Sequence, residues 1–269
     1  MPWGDWEVRL QNGTVLVREQ SVEAIYPEKT FQAGGLEGSQ KPWQNWKGKG
    51  ALGYSVVRGD RNAGTFSVDI NATRRQLRLP DLKERSRTNF FLNTIFANTE
   101  TLDGLRITAN SMTTGVRQDF TFSPSDFWFL LGQIDHSDTQ SLNLRQTYGA
   151  GLGRELIQRS RLKLQVLGGL TFVNEDFQTD ENRKNAELLL GEKVSWKISD
   201  WFGVEHTFNF YPNLTESGDY RLDSSTTLST RINSRLSFNT TFTDRFLSRP
   251  LTDRRRNEFV FTSGLGLTF

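Results

Sequence analysis

Three stretches of this sequence carry residue types that could do chemistry. Asp135-His136-Ser137-Asp138 holds a hydroxyl nucleophile, a base and two carboxylates, the parts of a hydrolase site. Catalysis by such a set needs the serine within hydrogen-bond reach of a base that a third group orients, whereas neighbours on a strand point to opposite faces. An exposed loop is the better reading. Gly149, Gly151 and Gly153 are spaced superficially like a phosphate-cradling loop, but they alternate with Tyr148, Ala150 and Leu152 and no helix follows. On a strand these glycines share one face, where they make room for larger neighbours or let the strand bend. Arg254-Arg255-Arg256, with Arg245 and Arg249 nearby, is the most basic cluster. It lacks the interleaved aromatics of a nucleic-acid face and reads as a solvated loop, whose guanidinium groups could pair with lipopolysaccharide phosphates. His206, between Val204 and Phe208 on an apolar parity, suits a crowded or interfacial wall position better than a ligand role.

The elements that hold these residues must suit an unusual composition. Hydrophobic residues make up 35% of the 269, yet 20 Phe, 7 Trp and 5 Tyr bring the aromatic share to 12%. A disordered chain would lack the aromatics, and a helical membrane protein would need a run of about 18 apolar residues. The longest runs here are short pieces such as Phe127 to Leu131. With no cysteine and only two histidines, neither a disulfide framework nor a metal site is expected, and no cofactor. The balance of 33 Lys and Arg against 31 Asp and Glu is too even to imply a nucleic-acid partner. The class that remains is the transmembrane β-barrel, whose strands alternate lipid-facing and lumen-facing side chains.

Period-two alternation recurs from Trp43 onward. Leu188, Leu190, Val194 and Trp196 share one parity, and Phe202, Val204, Phe208 and Phe210 repeat it on the next stretch. This face is expected to meet lipid. The other parity, expected to line the lumen, carries Lys47, Lys49, Arg75, Arg117, Asp119, Arg145, Glu155, Lys163, Glu187, Lys193, Lys197, Glu205, Arg221, Asp223 and Arg231. A charge facing lipid near the midplane costs about 2–4 kcal/mol, so their shared parity implies a wet or internally paired face. Short polar breaks at 123–126, 158–161, 199–200 and 233–235 alternate with longer ones at 59–64, 98–104, 135–141, 174–184, 212–219 and 244–256. That is the asymmetry between periplasmic turns and extracellular loops. Residues 41–269 therefore predict an all-β, closed antiparallel barrel of about twelve strands, with both ends periplasmic.

Residues 1–40 form a separate unit. Asn12-Gly13 between short alternating runs predicts a periplasmic β hairpin, followed by a Gly-rich linker from Ala33 to Ser39. Met1 to Trp6 has neither the basic start nor the apolar stretch of a signal peptide, so the expectation is a shortened chain whose export signal has been removed. At the other end Phe259, Phe261, Leu265, Leu267 and Phe269 share one parity. An amphipathic last strand ending in Phe resembles the signal by which bacterial barrel-assembly machinery recognises outer-membrane clients, which makes Phe269 the candidate recognition residue.

From Trp46 to Phe269 the sequence resembles the YdiY-like family of salt-induced outer-membrane proteins, a domain of unknown function. The resemblance rests on Trp46-Lys47-Gly48, on Arg58-Gly59-Asp60 at the first loop, and on Tyr148 to Gly153. It continues through Leu190 to Trp201, Tyr211-Pro212-Asn213-Leu214 before Asp219-Tyr220-Arg221-Leu222, and Gly264 to Phe269. It implies an outer-membrane barrel and brings no catalytic or binding residues with it. The expected function is a narrow passive channel for small hydrophilic, weakly anionic solutes, since ten of the fifteen charged lumen candidates are basic. The alternative is a non-conducting structural or envelope-stress barrel with a salt-bridged lumen, and a phospholipase-like enzyme is third. Expected partners are outer-membrane lipid, lipopolysaccharide and the assembly machinery.

Overall fold

The structure, a computed structural model, describes residues 5–10, 13–18, 46–57, 61–78, 83–101, 106–179, 182–251 and 255–269. Strands β1 (Asp5–Leu10) and β2 (Gly13–Arg18) pair antiparallel, from Asp5 opposite Arg18 to Leu10 opposite Gly13. The stretch from Ala33 to Ser39 lies outside the described residues, as does Arg254.

Thirteen further strands follow: β3 (Trp46–Val57), β4 (Arg61–Arg78), β5 (Lys83–Thr101), β6 (Arg106–Thr108), β7 (Ser111–Thr121), β8 (Asp126–Ser137), β9 (Leu142–Gln158), β10 (Leu162–Phe177), β11 (Asn182–Lys197), β12 (Phe202–Pro212), β13 (Tyr220–Arg231), β14 (Leu236–Leu247) and β15 (Asn257–Thr268). There is no helix among the described residues. From β3 onward each long strand pairs antiparallel with the next long one, β5 with β7, and the three-residue β6 meets β5 in the same register as β7 does. Finally β15 returns to β3, from Gly264 opposite Gly53 to Thr268 opposite Lys49. The sheet is thus a closed antiparallel barrel of twelve strands, with β6 extending one of them. Gly48 and Phe269 exchange both backbone hydrogen bonds, 3.0 Å each, so the barrel begins and ends at the same rim.

That rim is the one with the tight turns. Asn233 Oδ1 accepts the N–H groups of Arg235 and Leu236 at 2.9 and 2.8 Å, and Ser199 Oγ accepts that of Phe202 at 3.0 Å. These side chains supply the hydrogen bonds that a tight turn leaves open, which is why Asn and Ser stand there. At the opposite rim the strands run further than their polar composition suggests. β8 continues to Ser137, β10 to Phe177, and β11 starts at Asn182, which leaves short connections where breaks at 135–141 and 174–184 are expected. Lengths reach 19 residues in β5, beyond the about 9–11 that a tilted strand needs to cross a membrane.

The polarity of a soluble protein is inverted. Large apolar side chains are exposed around the wall, from Leu52 and Phe66 through Leu130, Leu152, Leu170 and Leu190 to Phe238 and Phe261. Aromatics gather near both ends of this belt. Trp201 and Phe202 meet at 5.8 Å at the tight-turn rim, while Tyr220 packs against Phe210 and Phe246 at 5.7 and 5.5 Å towards the other. Phe202 and Phe210 are eight residues apart on β12. At a rise of about 3.3 Å and a tilt of about 40°, that spans about 20 Å of barrel height, near the about 25 Å of a membrane-embedded apolar band.

Candidate functional site

Among the described residues, charge is concentrated in the barrel interior. Alternation and register send Lys47, Lys49, Arg75, Arg117, Asp119, Arg145, Glu155, Lys163, Glu187, Lys193, Lys197, Glu205, Arg221, Asp223 and Arg231 to the inner face. Leu188, Leu190, Val194, Trp196, Phe202, Val204, Phe208 and Phe210 stand on the outer one.

Seven of the fifteen inner charges are gathered, with partners from neighbouring strands, into two clusters. Towards the tight-turn rim, Arg87 Nε lies 3.0 Å from Asp119, its NH2 group 3.1 Å from Glu155, and Arg117 Nε 2.8 Å from Asp119. Gln165 links the same set, accepting from Arg117 at 2.9 Å and donating to Glu155 at 2.8 Å. Towards the loop rim, Arg145 pairs with Glu175 at 2.6 Å, and Arg221 with Glu187 at 3.0 Å and Asp223 at 3.1 Å. Arg245 stands 3.9 Å from Glu258. An ion pair from Lys49 on β3 to Glu205 on β12 joins strands well separated around the barrel.

Between the two clusters lies an apolar knot of Phe127, Phe129, Leu189 and Tyr211, with Leu131 and Leu167 packed against it. Phe129 is 0% exposed and Phe127 2%. The glycines of β9 make this possible. A Cβ on Gly153 would stand 2.1 Å from Cζ of Phe127, and one on Gly151 2.8 Å from Cζ of Phe129. Arginines close the knot at both ends: Arg117 lies 5.8 Å from the Phe127 and Phe129 ring centres, and Arg221 3.6 Å from that of Tyr211.

The rest of the inner wall is different. Asn71 and Thr73 on β4, Asn89 and Asn93 on β5, Thr207 and Asn209 on β12, Ser225 and Thr227 on β13 and Thr243 on β14 border an internal cavity of about 360 Å³. Lys193, Glu205, Arg117 and Asp69 border the same space. At the loop rim Leu251, which follows β14, is buried against Leu142 of β9 and Phe177 of β10.

Several inner residues escape a reading from sequence. Asp69, Arg87, Asp135, Glu175, Arg245 and Glu258 all join the inner network or line its cavity. Four of these six are acidic, which narrows the basic excess. The knot had a visible trace: Phe127 to Leu131 is apolar on both parities, the signature of a strand buried on both faces. On the outer face the surprise is Glu192, 3.8 Å from His206, whose Nδ1 is 2.8 Å from Thr226 Oγ1.

The remaining motifs are dispersed by the fold. His136 Nδ1 donates to the Asn143 carbonyl at 2.9 Å and Nε2 is 3.2 Å from Asp138. Ser137 turns inward instead, with its Oγ 2.8 Å from Thr139 Oγ1, so base and nucleophile engage different partners. Of the arginine cluster, Arg245 points into the lumen and Arg249 is held by Asp219 at 3.3 Å and Glu216 at 3.6 Å. Arg255 and Arg256 stay exposed.

A comparison with curated proteins finds no match. Among solved structures the chain is similar to an outer membrane channel from Pseudomonas putida F1, at 9% identity and TM-score 0.48, covering 86% of this chain and 100% of that one. It is also similar to the NanC porin, at 9% identity and TM-score 0.47, covering 82% and 98%. The translocator domain of the autotransporter NalP from Neisseria meningitidis gives 11% identity and TM-score 0.45 over 90% and 93%. A family model described as "Protein of unknown function, DUF481" matches residues 50–269, nearly the whole barrel and the stretch over which the sequence resembles YdiY-like proteins. The chain belongs to that family.

Proposed function

We propose that this barrel resides in the bacterial outer membrane and is a narrow passive channel for small hydrophilic solutes, with a weak preference for anions. The membrane setting is supported by the exposed apolar belt with aromatics near both edges, since a surface of that extent is unfavourable in water. The observation that carries the channel reading is the cavity of about 360 Å³ bordered by serine, threonine and asparagine on one side of the lumen. Small neutral polar groups exchange hydrogen bonds with water and solute at little cost, and Lys193 on the cavity wall, which forms no ion pair with a described residue, favours anions over cations.

Single-channel recording in a planar bilayer under a salt gradient tests this. Discrete steps with an anion-leaning reversal potential are expected, and cation selectivity would refute the proposed preference. Silence from protein shown to be folded by faster gel migration before boiling would favour the second reading, a non-conducting envelope barrel. That reading draws on the paired arginines and the apolar knot, which together fill one side of the lumen.

A further inference from the structure

The inner bases differ in how they are held. At the loop rim Arg145, Arg221 and Arg245 are each committed to a carboxylate. At the tight-turn rim Lys47, Lys163, Lys197 and Arg231 form no ion pair with any described residue, and each is exposed. They are inner-face residues in the first or last two positions of β3, β10, β11 and β13. Arg75, near the end of β4, stands on the same rim. Deeper in, Lys193 borders the cavity, again without an ion pair. Lys163 is opposite Ser195, which makes Lys193 and Lys197 its diagonal neighbours on the inner face, about 7–8 Å away. Three ammonium groups therefore step from the rim to the cavity along one seam.

Like charges this close repel, and the carboxylate diagonal to Lys193 and Lys197 on β12, Glu205, is already engaged by Lys49 and offsets only part of that repulsion. We infer that the tight-turn mouth is a collecting site for small anions carrying two or more phosphate or carboxylate groups, which Lys163, Lys197 and Arg231 draw in and Lys193 receives. Lysines dominate, and an ammonium reads charge rather than shape, so the class is set by charge number more than by geometry. The inference rests on the channel reading for its directional consequence: such anions should enter from the tight-turn side and be retarded there.

The chain has no cysteine, so Ser160→Cys in the exposed β9–β10 turn can carry a single biotin. Streptavidin added to one chamber then reports which side of a planar bilayer the tight turns face. Pyrophosphate and, separately, citrate are added to either chamber during recording in potassium chloride. The expected result is block by both from the tight-turn side only. Block should weaken about tenfold or more in the Lys163→Gln, Lys197→Gln, Arg231→Gln variant and fall steeply with ionic strength. Lys184→Gln with Arg256→Gln, the same kind of charge change at the loop rim, should leave it unaltered. Equal block from both sides, or an unaffected triple variant, would overturn the collecting site while leaving the channel standing. If the folded barrel is silent, the channel reading fails instead, and calorimetry with pyrophosphate decides the site. Binding abolished in the triple variant keeps it, and no binding overturns it.

Discussion

The two sides of the lumen are built from the same alternating strands and do opposite things. Along β8 to β11, with Tyr211 at the end of β12, the inner face is filled: phenylalanines from β8 lie over the glycines of β9, and Leu167, Leu189 and Tyr211 complete a dry knot braced by paired arginines. Along β13, β14, β4 and β5 it is lined by Ser225, Thr227, Thr243, Asn71, Thr73 and Asn89 beside open space. Both solutions satisfy a polar interior, but at different energies. Burial and ion pairing on the filled side contribute stability that the open side, wet and weakly bonded, cannot. One barrel thus separates a side that holds the fold together from a side that leaves open space.

The largest effect should come from emptying the filled side. Phe129→Ala removes a ring that is 0% exposed, and truncations of this kind cost about 3–5 kcal/mol. The space released opens towards the cavity, which Phe129 already borders, so unit conductance should rise as stability falls. Urea titration of the barrel in lipid vesicles, paired with conductance, checks both. A stable variant with unchanged current would mean that the knot neither supports the fold nor obstructs the lumen.

A smaller effect tests inside against outside rather than side against side. Leu190 and Lys193 are three residues apart on β11 and occupy opposite faces. Leu190→Arg places a charge in the apolar belt at about 2–4 kcal/mol near the midplane, whereas Lys193→Gln changes a wet position and should cost well under 1 kcal/mol. Folding yield into vesicles should drop for the first and hold for the second. Equal yields would mean that the two faces are not solvated differently.

How much of this was legible in the sequence follows from the range of each interaction. The outer face could be read because lipid imposes one rule on every second residue, as Leu188 to Trp196 and Phe202 to Phe210 display. The tight turns could be read because Ser199 and Asn233 make their bonds within three residues of themselves. Strand ends at the loop rim could not. Asp135, Glu175 and Ser137 look like loop residues until partners from other strands are known: Thr113 donates to Asp135 at 2.7 Å, and Arg145 holds Glu175. The end of β4 at Arg78 and the start of β5 at Lys83 are hard to read because charged residues on both sides of Pro80 blur the break. The division of the lumen was hidden for a different reason. Which inner residues fill and which leave space depends on what faces them, and Phe127 meets Gly153 only after the β8–β9 register is set. The Lys49–Glu205 pair, 156 residues apart in the chain, carries no local signal at all.

The smallest effect should be found on the open side, where it sharpens the contrast most. Thr227 and Thr241 face each other across β13 and β14, with their hydroxyls 3.0 Å apart. Both are partly accessible, and Thr227 borders the cavity, so water can replace a lost partner. Leaving a polar group unpaired costs about 1–3 kcal/mol only where water is excluded, and a solvated site escapes most of that penalty. Thr241→Ala should therefore lower stability by about 0.5 kcal/mol or less. Its unit conductance should rise slightly, because the lumen wall recedes by a hydroxyl and a methyl group while its charges stay in place. The same urea titration and bilayer recording as for Phe129→Ala give both values on one scale. A loss of stability comparable to that of Phe129→Ala would show that the threonine wall is packed as tightly as the knot, and the distinction between a supporting side and a permissive side would fall.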